Sequence, residues 1–364
     1  MIANESSNDS QVISNPNDSD SDQVVPDCEA GLIGPSFGFQ WHLTDRCNLR
    51  CAHCYQDRFT AERDRPLGEL RRMADEVLGA LGDRTVSINL TGGEPLVFPP
   101  LFGLIDHLHT FPNLQEVHII TNGTVADDET CARIAGYEKI GVLKVSLESS
   151  DPATNDAIRG RGNSARVRVN LARLRMTGKR IVLMATLARY SVGHIEGILG
   201  MARELDLAGV IFERFVPLGR GRALSGQVLT AADWRDAVGS IMRCCGLDAE
   251  ADDLPGYRAF WVDLGPDGGL RGAECNLGAE SMALMPDGTV VPCRRLPIPC
   301  GKLLETPFDE VLARLDGFAV RALRPLLRGT YCGACGIEAC GGCRALALAM
   351  SGDPFGDDPQ CPLT

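Results

Sequence analysis

Three cysteines lie close together on one short stretch near the start of the chain. They are Cys47, Cys51 and Cys54, and their spacing is C-x3-C-x2-C. Three thiolates on one loop can ligate three irons of a [4Fe–4S] cluster and leave the fourth iron open for a cofactor or substrate. Zinc is the alternative metal. Its obvious fourth ligand, His53, directly precedes Cys54, which makes joint binding of one ion awkward.

A second group of cysteines lies in the last third of the chain. Its members are Cys275, Cys293, Cys332, Cys335, Cys340, Cys343 and Cys361. The N-terminus has no apolar segment typical of a secretion signal, so we expect a cytoplasmic protein. In a reducing cytosol, closely spaced cysteines are more often metal ligands or catalytic groups than disulfides. The odd total of fifteen cysteines agrees with metal binding.

Short apolar runs alternate with stretches of helical period from about residue 37, which indicates an α/β fold with a parallel sheet. The runs that predict strands are Phe39–Leu43, Val86–Leu90, Val117–Ile120, Leu143–Leu147, Ile181–Ala185 and Val210–Phe215. The helical stretches lie near 67–81, 100–110, 127–136, 164–177, 193–206 and 230–243. Six such units form either a partial (β/α)6 barrel or a doubly wound sheet, and both place a site at the carboxyl ends of the strands.

The pattern divides the chain into three parts. Residues 1–36 are a polar tail and lead-in, which we expect to be disordered. Residues 37–245 form the α/β core. Residues 246–364 are loop-rich, with a hairpin expected from Met282–Leu284 and Val290–Val291. This small, cysteine-rich domain cannot bury much apolar surface, so it needs metal sites for its stability.

Polar motifs follow the second, third and fourth strands. Thr91–Pro95 contains Gly92, Gly93 and Glu94; Thr121–Gly123 contains Asn122; and Ser146–Ser149 contains Ser146 and Glu148. Glycines allow a close approach of the backbone, and a carboxylate suits an ammonium group. The carboxyl ends of parallel strands meet at one edge, so these motifs should lie beside the first cysteine loop.

The cysteine loop, the aromatic Tyr55 that follows it, and these motifs in this order resemble the radical S-adenosylmethionine (SAM) superfamily over roughly residues 37–245. The resemblance implies that Cys47, Cys51 and Cys54 hold a [4Fe–4S] cluster whose fourth iron binds SAM. It further implies that SAM is cleaved to a 5′-deoxyadenosyl radical, which abstracts a hydrogen atom from the substrate. The SAM-binding residues implied are Tyr55, Gly92, Gly93, Glu94, Asn122, Ser146 and Glu148.

The C-terminal cysteines look like the SPASM domain, which binds auxiliary [4Fe–4S] clusters, although two gaps are one residue shorter than in the family. The resemblance implies an outer cluster on Cys332, Cys335, Cys340 and Cys361. It implies an inner cluster on Cys275, Cys293 and Cys343, whose fourth position is an open iron, a non-cysteine ligand or Cys300. A domain with a single auxiliary cluster and a pair of zinc knuckles are the alternatives. Cys28, Cys131, Cys244 and Cys245 match no motif and are expected to be free thiols.

The resemblance favours oxidative modification or crosslinking of a ribosomally made peptide. Residues 1–36 are too short and polar for a peptide-recognition domain, so such a substrate would need a separate leader-peptide-binding protein. The alternative is oxidation or decarboxylation of a small molecule, such as a heme or heme d1 tetrapyrrole, a sugar or a nucleoside. A non-catalytic iron–sulfur electron carrier would have no need of the SAM motifs.

Composition and partners narrow the remaining classes of function. A flavodoxin or ferredoxin is the expected reductant. The net charge of -12 argues against nucleic-acid binding. The sequence has no apolar stretch long enough for a membrane span.

Overall fold

The computed structural model describes residues 36–247, 257–266, 268–278 and 280–363. Cys28 and all but the last residue of the expected N-terminal tail lie outside the described residues. The proposed boundary between the core and the cysteine-rich region, after residue 245, follows the end of a long helix at Cys244.

Six parallel strands form the centre of the sheet in their chain order. They are β1 (Ser36–His42), β2 (Thr85–Thr91), β3 (Leu114–Thr121), β4 (Ile140–Ser146), β5 (Arg180–Leu187) and β6 (Gly209–Arg214). A doubly wound sheet reverses its strand order at a switch point. The uninterrupted order β1 to β6 therefore decides for the open, partial barrel, which periodicity alone left undecided.

Seven helices follow these strands or connect them. They are α1 (Leu67–Leu81), α2 (Leu101–Leu108), α3 (Asp128–Ala135), α4 (Pro152–Arg159), α5 (Asn163–Arg175), α6 (Ile195–Glu204) and α7 (Ala231–Cys244). Six of them agree with the predicted helical stretches. The prediction missed α4, although the sequence carries its signal: Asp151 caps the helix by accepting from the backbone N–H of Thr154, and Pro152 occupies its first turn.

Side chains alternate between two faces along each strand. On β2 the apolar Val86, Ile88 and Leu90 are fully buried in the main core together with the helices. The intervening residues face the opposite, concave side, where Asn89 of β2 accepts a hydrogen bond from Lys144 Nζ of β4 at 2.7 Å. The period of two thus separates a hydrophobic core from a polar barrel interior.

The region after α7 adds strands to both edges of the same sheet. Its elements are β7 (Tyr257–Asp263), β8 (Leu270–Glu274), β9 (Ser281–Leu284), β10 (Thr289–Val291), β11 (Gly301–Lys302), α8 (Phe308–Asp316), α9 (Val320–Leu323) and α10 (Arg344–Ser351). β7 pairs antiparallel with β6, and β9 pairs parallel with β1. The expected hairpin is present as β9 and β10. No described helix is long and apolar enough to cross a membrane.

Candidate functional site

The three N-terminal cysteines line one cavity at the carboxyl ends of the central strands. Cys47, Cys51 and Cys54 lie on the loop after β1. The same cavity is lined by Gly92 and Gly93 after β2, Asn122 after β3 and Ser146 at the end of β4, as the sequence predicts. In barrels of this kind, the loops at the carboxyl ends of the strands carry the chemistry.

Two backbone hydrogen bonds attach the cysteine loop to the glycine motif. The N–H of Gly93 donates to the carbonyl of Thr44 at 2.7 Å, and the N–H of Glu94 donates to the carbonyl of Arg46 at 2.8 Å. A β-carbon on Gly92 would lie 2.5 Å from the Thr44 carbonyl oxygen, and one on Gly93 would overlap the carbonyl of Arg46. Both glycines are therefore required by the cysteine loop itself.

Asn122 connects the end of β3 to the same loop. Its Nδ2 donates to Asn48 Oδ1 at 2.8 Å and lies 3.8 Å from Cys47 Sγ. The backbone N–H of Leu49 also approaches Cys47 Sγ, at 3.4 Å. Donors of this kind stabilise a thiolate and orient it toward a metal.

The three thiols are buried enough to disfavour bare thiolates. Burial raises the pKa of Cys47 and of Cys54 to about 11, and it also raises the pKa of Cys51. Isolated thiols here would be protonated, whereas a coordinated thiol is deprotonated by the metal. Within the described residues, no three His, Cys, Asp or Glu side chains are close enough to share one metal ion. In a [4Fe–4S] cluster each thiolate binds a separate iron, so three thiolates of one loop can serve as its ligands.

Glu94 lies behind the cavity wall and joins the ends of β2 and β3. Its Oε1 accepts from the Leu96 N–H at 3.1 Å and from Thr121 Oγ1 at 2.8 Å, and its Oε2 accepts from the Asn122 N–H at 2.7 Å. Burial raises its pKa to about 7. A carboxylate offers about four acceptor positions, so one remains for an ammonium group. A contact between Glu94 and SAM stays a prediction.

Glu148 is fully buried and holds an arginine that the sequence analysis did not single out. Its Oε1 accepts from Arg159 Nε at 3.0 Å and lies 3.2 Å from His53 Nε2, while its Oε2 accepts from the Thr186 N–H at 2.7 Å. Burial alone would raise the pKa of Glu148, but Arg159 and His53 outweigh burial and lower it to about 2. Arg159, rather than Glu148, lines the cavity. Arg159 ends α4, the helix that the sequence analysis missed.

Tyr55 closes the side of the cavity beside β1. Its hydroxyl donates to the carbonyl of Gly92 at 3.2 Å and lies 3.4 Å from His42 Nε2. Burial, together with the positive charge of Arg294, lowers the pKa of His42 to about 3, so this imidazole is neutral. The phenol therefore has a fixed position between two polar partners.

Two arginines from the C-terminal region also line this cavity. Arg294 and Arg295 directly follow Cys293, and both donate to Glu213 at the end of β6, at 2.9 and 3.2 Å. The Arg294 guanidinium lies 5.2 Å from the centre of the Tyr55 ring. Nothing in the sequence indicated that these arginines reach the first cysteine loop, because the contact depends on the fold.

The four cysteines of the expected outer set line a second cavity, together with Arg258 and Asp358. They are Cys332, Cys335, Cys340 and Cys361. Asp357 orders the loop that carries Cys332, because its carboxylate accepts from the backbone N–H groups of Thr330, Tyr331 and Cys332 at 2.8, 2.9 and 2.7 Å. The convergence of four thiols fits a four-ligand [4Fe–4S] cluster.

Cys275 of the expected inner set lies near the other two cysteines of that set. Burial, reinforced by Cys343 and Cys293, raises the pKa of Cys275 to about 12. Cys300, one of the candidates for a fourth ligand, is buried in the main hydrophobic core, and its Sγ lies 3.9 Å from the carbonyl of Ile298. This environment favours an open iron or a non-cysteine ligand at the inner set.

Two segments of the chain match known families, and its whole length resembles known proteins. Residues 41–202 match the radical SAM superfamily, and residues 275–343 match the iron–sulfur cluster-binding domain named SPASM. The chain is 30% identical over 363 residues to mycofactocin maturase MftC of Mycobacterium ulcerans, and the alignment covers 93% of this chain and 91% of the relative. It is 27% identical over 347 residues to AdoMet-dependent heme synthase of Nitratidesulfovibrio vulgaris, with coverage of 88% and 90%. The structure of Streptococcus suis SuiB bound to precursor peptide SuiA matches with a TM-score of 0.62 at 15% identity, covering 91% of this chain and 76% of that chain.

Replacement of Gly93 by alanine should displace the cysteine loop, because the new β-carbon would overlap the Arg46 carbonyl. We expect Gly93→Ala to lose about four irons per chain after anaerobic reconstitution, which is one [4Fe–4S] cluster. Gly200→Ala is the matched control, since it lies in α6 with open space around a new β-carbon. An unchanged iron content in Gly93→Ala would contradict the close contact between the cysteine loop and Gly93.

Removal of the Glu148 carboxylate should leave Arg159 buried without its counter-charge. We expect Glu148→Ala to lower the free energy of unfolding by about 3–5 kcal/mol, the usual effect of breaking a buried ion pair. The control Glu129→Ala, at an exposed position in the first turn of α3, should change it by less than about 0.5 kcal/mol. Urea denaturation followed by circular dichroism measures both, and equal losses would contradict the structural role of Glu148.

Proposed function

The chain belongs to the radical SAM superfamily and carries the SPASM iron–sulfur domain, and from this premise we propose that Cys47, Cys51 and Cys54 hold its SAM-cleaving [4Fe–4S] cluster. It is a radical SAM enzyme that uses SAM and [4Fe–4S] clusters. The observation that carries the proposal is the convergence of these three thiols with Gly92 and Asn122 on one cavity. Three thiolate ligands leave one iron for SAM.

The SAM carboxylate is assigned to Arg159. Glu148 accepts hydrogen bonds from Nε and Nη2 of this guanidinium, so Nη1 is the nitrogen that we assign to the SAM carboxylate. A buried arginine held by a carboxylate on one side is well placed to receive a second carboxylate on the other. Ser146 lines the same part of the cavity. Tyr55 lies beside Gly92 and is assigned to the adenine end.

The chain also shields the site from water. The 3-10 helix Gly219–Gln227 lies against the cysteine loop, with the Gly221 N–H donating to the Cys54 carbonyl at 2.9 Å. Phe215 and Val216 after β6 are buried and line the cavity. When bound, the cluster and SAM supply a radical that abstracts hydrogen, and a closed site protects such a radical from side reactions.

The auxiliary clusters are assigned to the C-terminal cysteines. Cys332, Cys335, Cys340 and Cys361 hold the outer cluster, and Cys275, Cys293 and Cys343 hold the inner one. Residues 37–245 then form the radical SAM core, and residues 246–364 form the SPASM domain. One cysteine of the inner set, Cys293, directly precedes the two arginines that line the first cavity. The inner set is therefore connected to the proposed SAM site by a short piece of chain.

The substrate that we propose is a ribosomally made peptide that undergoes oxidative modification or crosslinking. Two similarities support this choice: a relative named a maturase at 30% identity, and a structural neighbour described as bound to a precursor peptide. A flavodoxin or ferredoxin supplies the electron for SAM cleavage, and a separate protein presents the leader peptide. A reducing cytosol suits free thiols that must receive clusters.

The second candidate is a small-molecule substrate of the tetrapyrrole class. It is favoured by the AdoMet-dependent heme synthase that aligns with 88% of this chain. The barrel interior carries Lys144, Arg294 and Arg295 with Glu213 between them, and these cations suit a substrate with carboxylate groups. A peptide also carries carboxylates, so charge alone does not separate the two candidates.

Replacement of a proposed loop ligand should remove one cluster and all SAM cleavage. We expect Cys51→Ala, reconstituted anaerobically, to contain about eight irons per chain instead of about twelve, and to form no 5′-deoxyadenosine with SAM and dithionite. Cys300→Ala is the control, since this thiol is buried in the core away from the proposed ligands. It should keep its iron and its activity. A Cys51→Ala variant that still forms 5′-deoxyadenosine would exclude the assignment.

The substrate class is decided by adding candidate substrates to the reconstituted enzyme with SAM and dithionite. We expect precursor peptides encoded beside its gene, with their leader-binding protein, to increase 5′-deoxyadenosine and to lose hydrogen by mass spectrometry. An iron porphyrin with carboxylate side chains is the competing probe. A mass change in the porphyrin, with none in any peptide, would favour the tetrapyrrole candidate over the peptide.

A further inference from the structure

Arg258 on β7 lies against a cysteine of the outer set. Its Nη2 donates to Cys340 Sγ at 3.1 Å, and only 12% of its side chain is exposed. Together with the outer cysteines it lines the second cavity. Outside this cavity, Arg258 Nη1 donates to the carbonyl of Tyr257 at 3.0 Å, which fixes the guanidinium on its own strand.

The same guanidinium faces the inner set through Asp358. The Asp358 carboxylate lies 3.8 Å from Arg258 Nε and accepts the backbone N–H of Cys343 at 2.9 Å. Asp358 also pairs with Arg214 at 2.9 Å. A continuous polar path therefore runs from Cys340 of the outer set to Cys343 of the inner set.

Arg258 keeps its charge in this setting. Burial alone would lower the pKa of the guanidinium, but Asp358 and the nearby cysteines raise it above its usual range. Other cations lie near the cysteines as well: Arg344 Nη2 lies 3.5 Å from Cys332 Sγ, and Arg295 and Arg214 lie on the inner side. Arg295 and Arg214 are paired with Glu213 and Asp358, respectively.

We propose that Arg258 raises the reduction potential of the outer auxiliary cluster by donating a charge-assisted hydrogen bond to its ligand Cys340. An iron–sulfur cluster becomes more negative on reduction, and a cation with an N–H···S hydrogen bond stabilises that form. Arg258 also lies near Cys343 and Cys275 of the inner set, but its hydrogen bond to sulfur is with Cys340, so the outer cluster responds more. The proposal rests on the proposed assignment of the outer cluster to these cysteines, and it holds for any substrate.

The test is a redox titration of the full chain, reconstituted anaerobically and followed by electron paramagnetic resonance. The outer signal is identified first by its loss in Cys335→Ala, which removes a ligand of the outer set alone. We expect Arg258→Gln to lower the ratio of reduced to oxidised outer cluster about tenfold at a given potential, which is a shift of about 59 mV for one electron. Arg258→Lys keeps the charge and should shift the potential by less.

Two controls make the outcome decisive. Arg328→Gln removes a cation of the same region that is 68% exposed and pairs with Asp353, and it should leave the potential unchanged. Iron and sulfide are counted in every variant, and Arg214 remains to pair with Asp358 in Arg258→Gln. An unchanged outer potential at full iron overturns the proposal. Loss of about four irons in both Arg258→Gln and Arg258→Lys also overturns it, since Arg258 would then be needed for assembly. No substrate is required, so the result does not depend on the substrate class.

Discussion

The site depends on two backbone hydrogen bonds, those from Gly93 to Thr44 and from Glu94 to Arg46. They bring the loop of Cys47 against the end of β2 so closely that neither Gly92 nor Gly93 has room for a side chain. A loop of this length could adopt many conformations, and fixing it costs conformational entropy. The two hydrogen bonds to the end of β2 help to offset that cost, and they hold the loop that carries the three thiols.

Two buried carboxylates extend this constraint around the cavity. Glu94 ties β2 to β3 through three backbone and side-chain donors, and Glu148 ties β4 to Arg159, His53 and the backbone of β5. Burial raises the pKa of Glu94 despite its neutral hydrogen-bond donors, whereas the cationic neighbours of Glu148 outweigh burial and lower its pKa. Residues expected to touch SAM thus act first as connectors between strand ends.

The sequence was sufficient for the six central strands and for the grouping of Cys47, Cys51 and Cys54, because both follow from local period and spacing. It was insufficient where the decisive contact joins distant segments. Arg159 was missed with α4, and Arg294 and Arg295 could not be assigned to the first cavity, since about 240 residues separate Cys54 from Arg294. The choice between partial barrel and doubly wound sheet also needed the strand order, which a single-sequence pattern does not contain. The local sequence pattern predicts the helices and strands, whereas contacts between distant segments decide which of them lie side by side.

Because of this long-range strand pairing, the C-terminal region completes the central sheet in addition to carrying the second group of cysteines. β9 pairs with β1, the strand that leads into the first cysteine loop, and β7 pairs with β6, the strand that ends at Glu213. Unpaired strand edges are unfavourable, so the core would expose both of these edges without this region. From β10 the chain continues through Cys293 to Arg294 and Arg295, which reach Glu213 inside the barrel. The pairing that completes the sheet therefore also brings the segment after Cys293 into the first cavity.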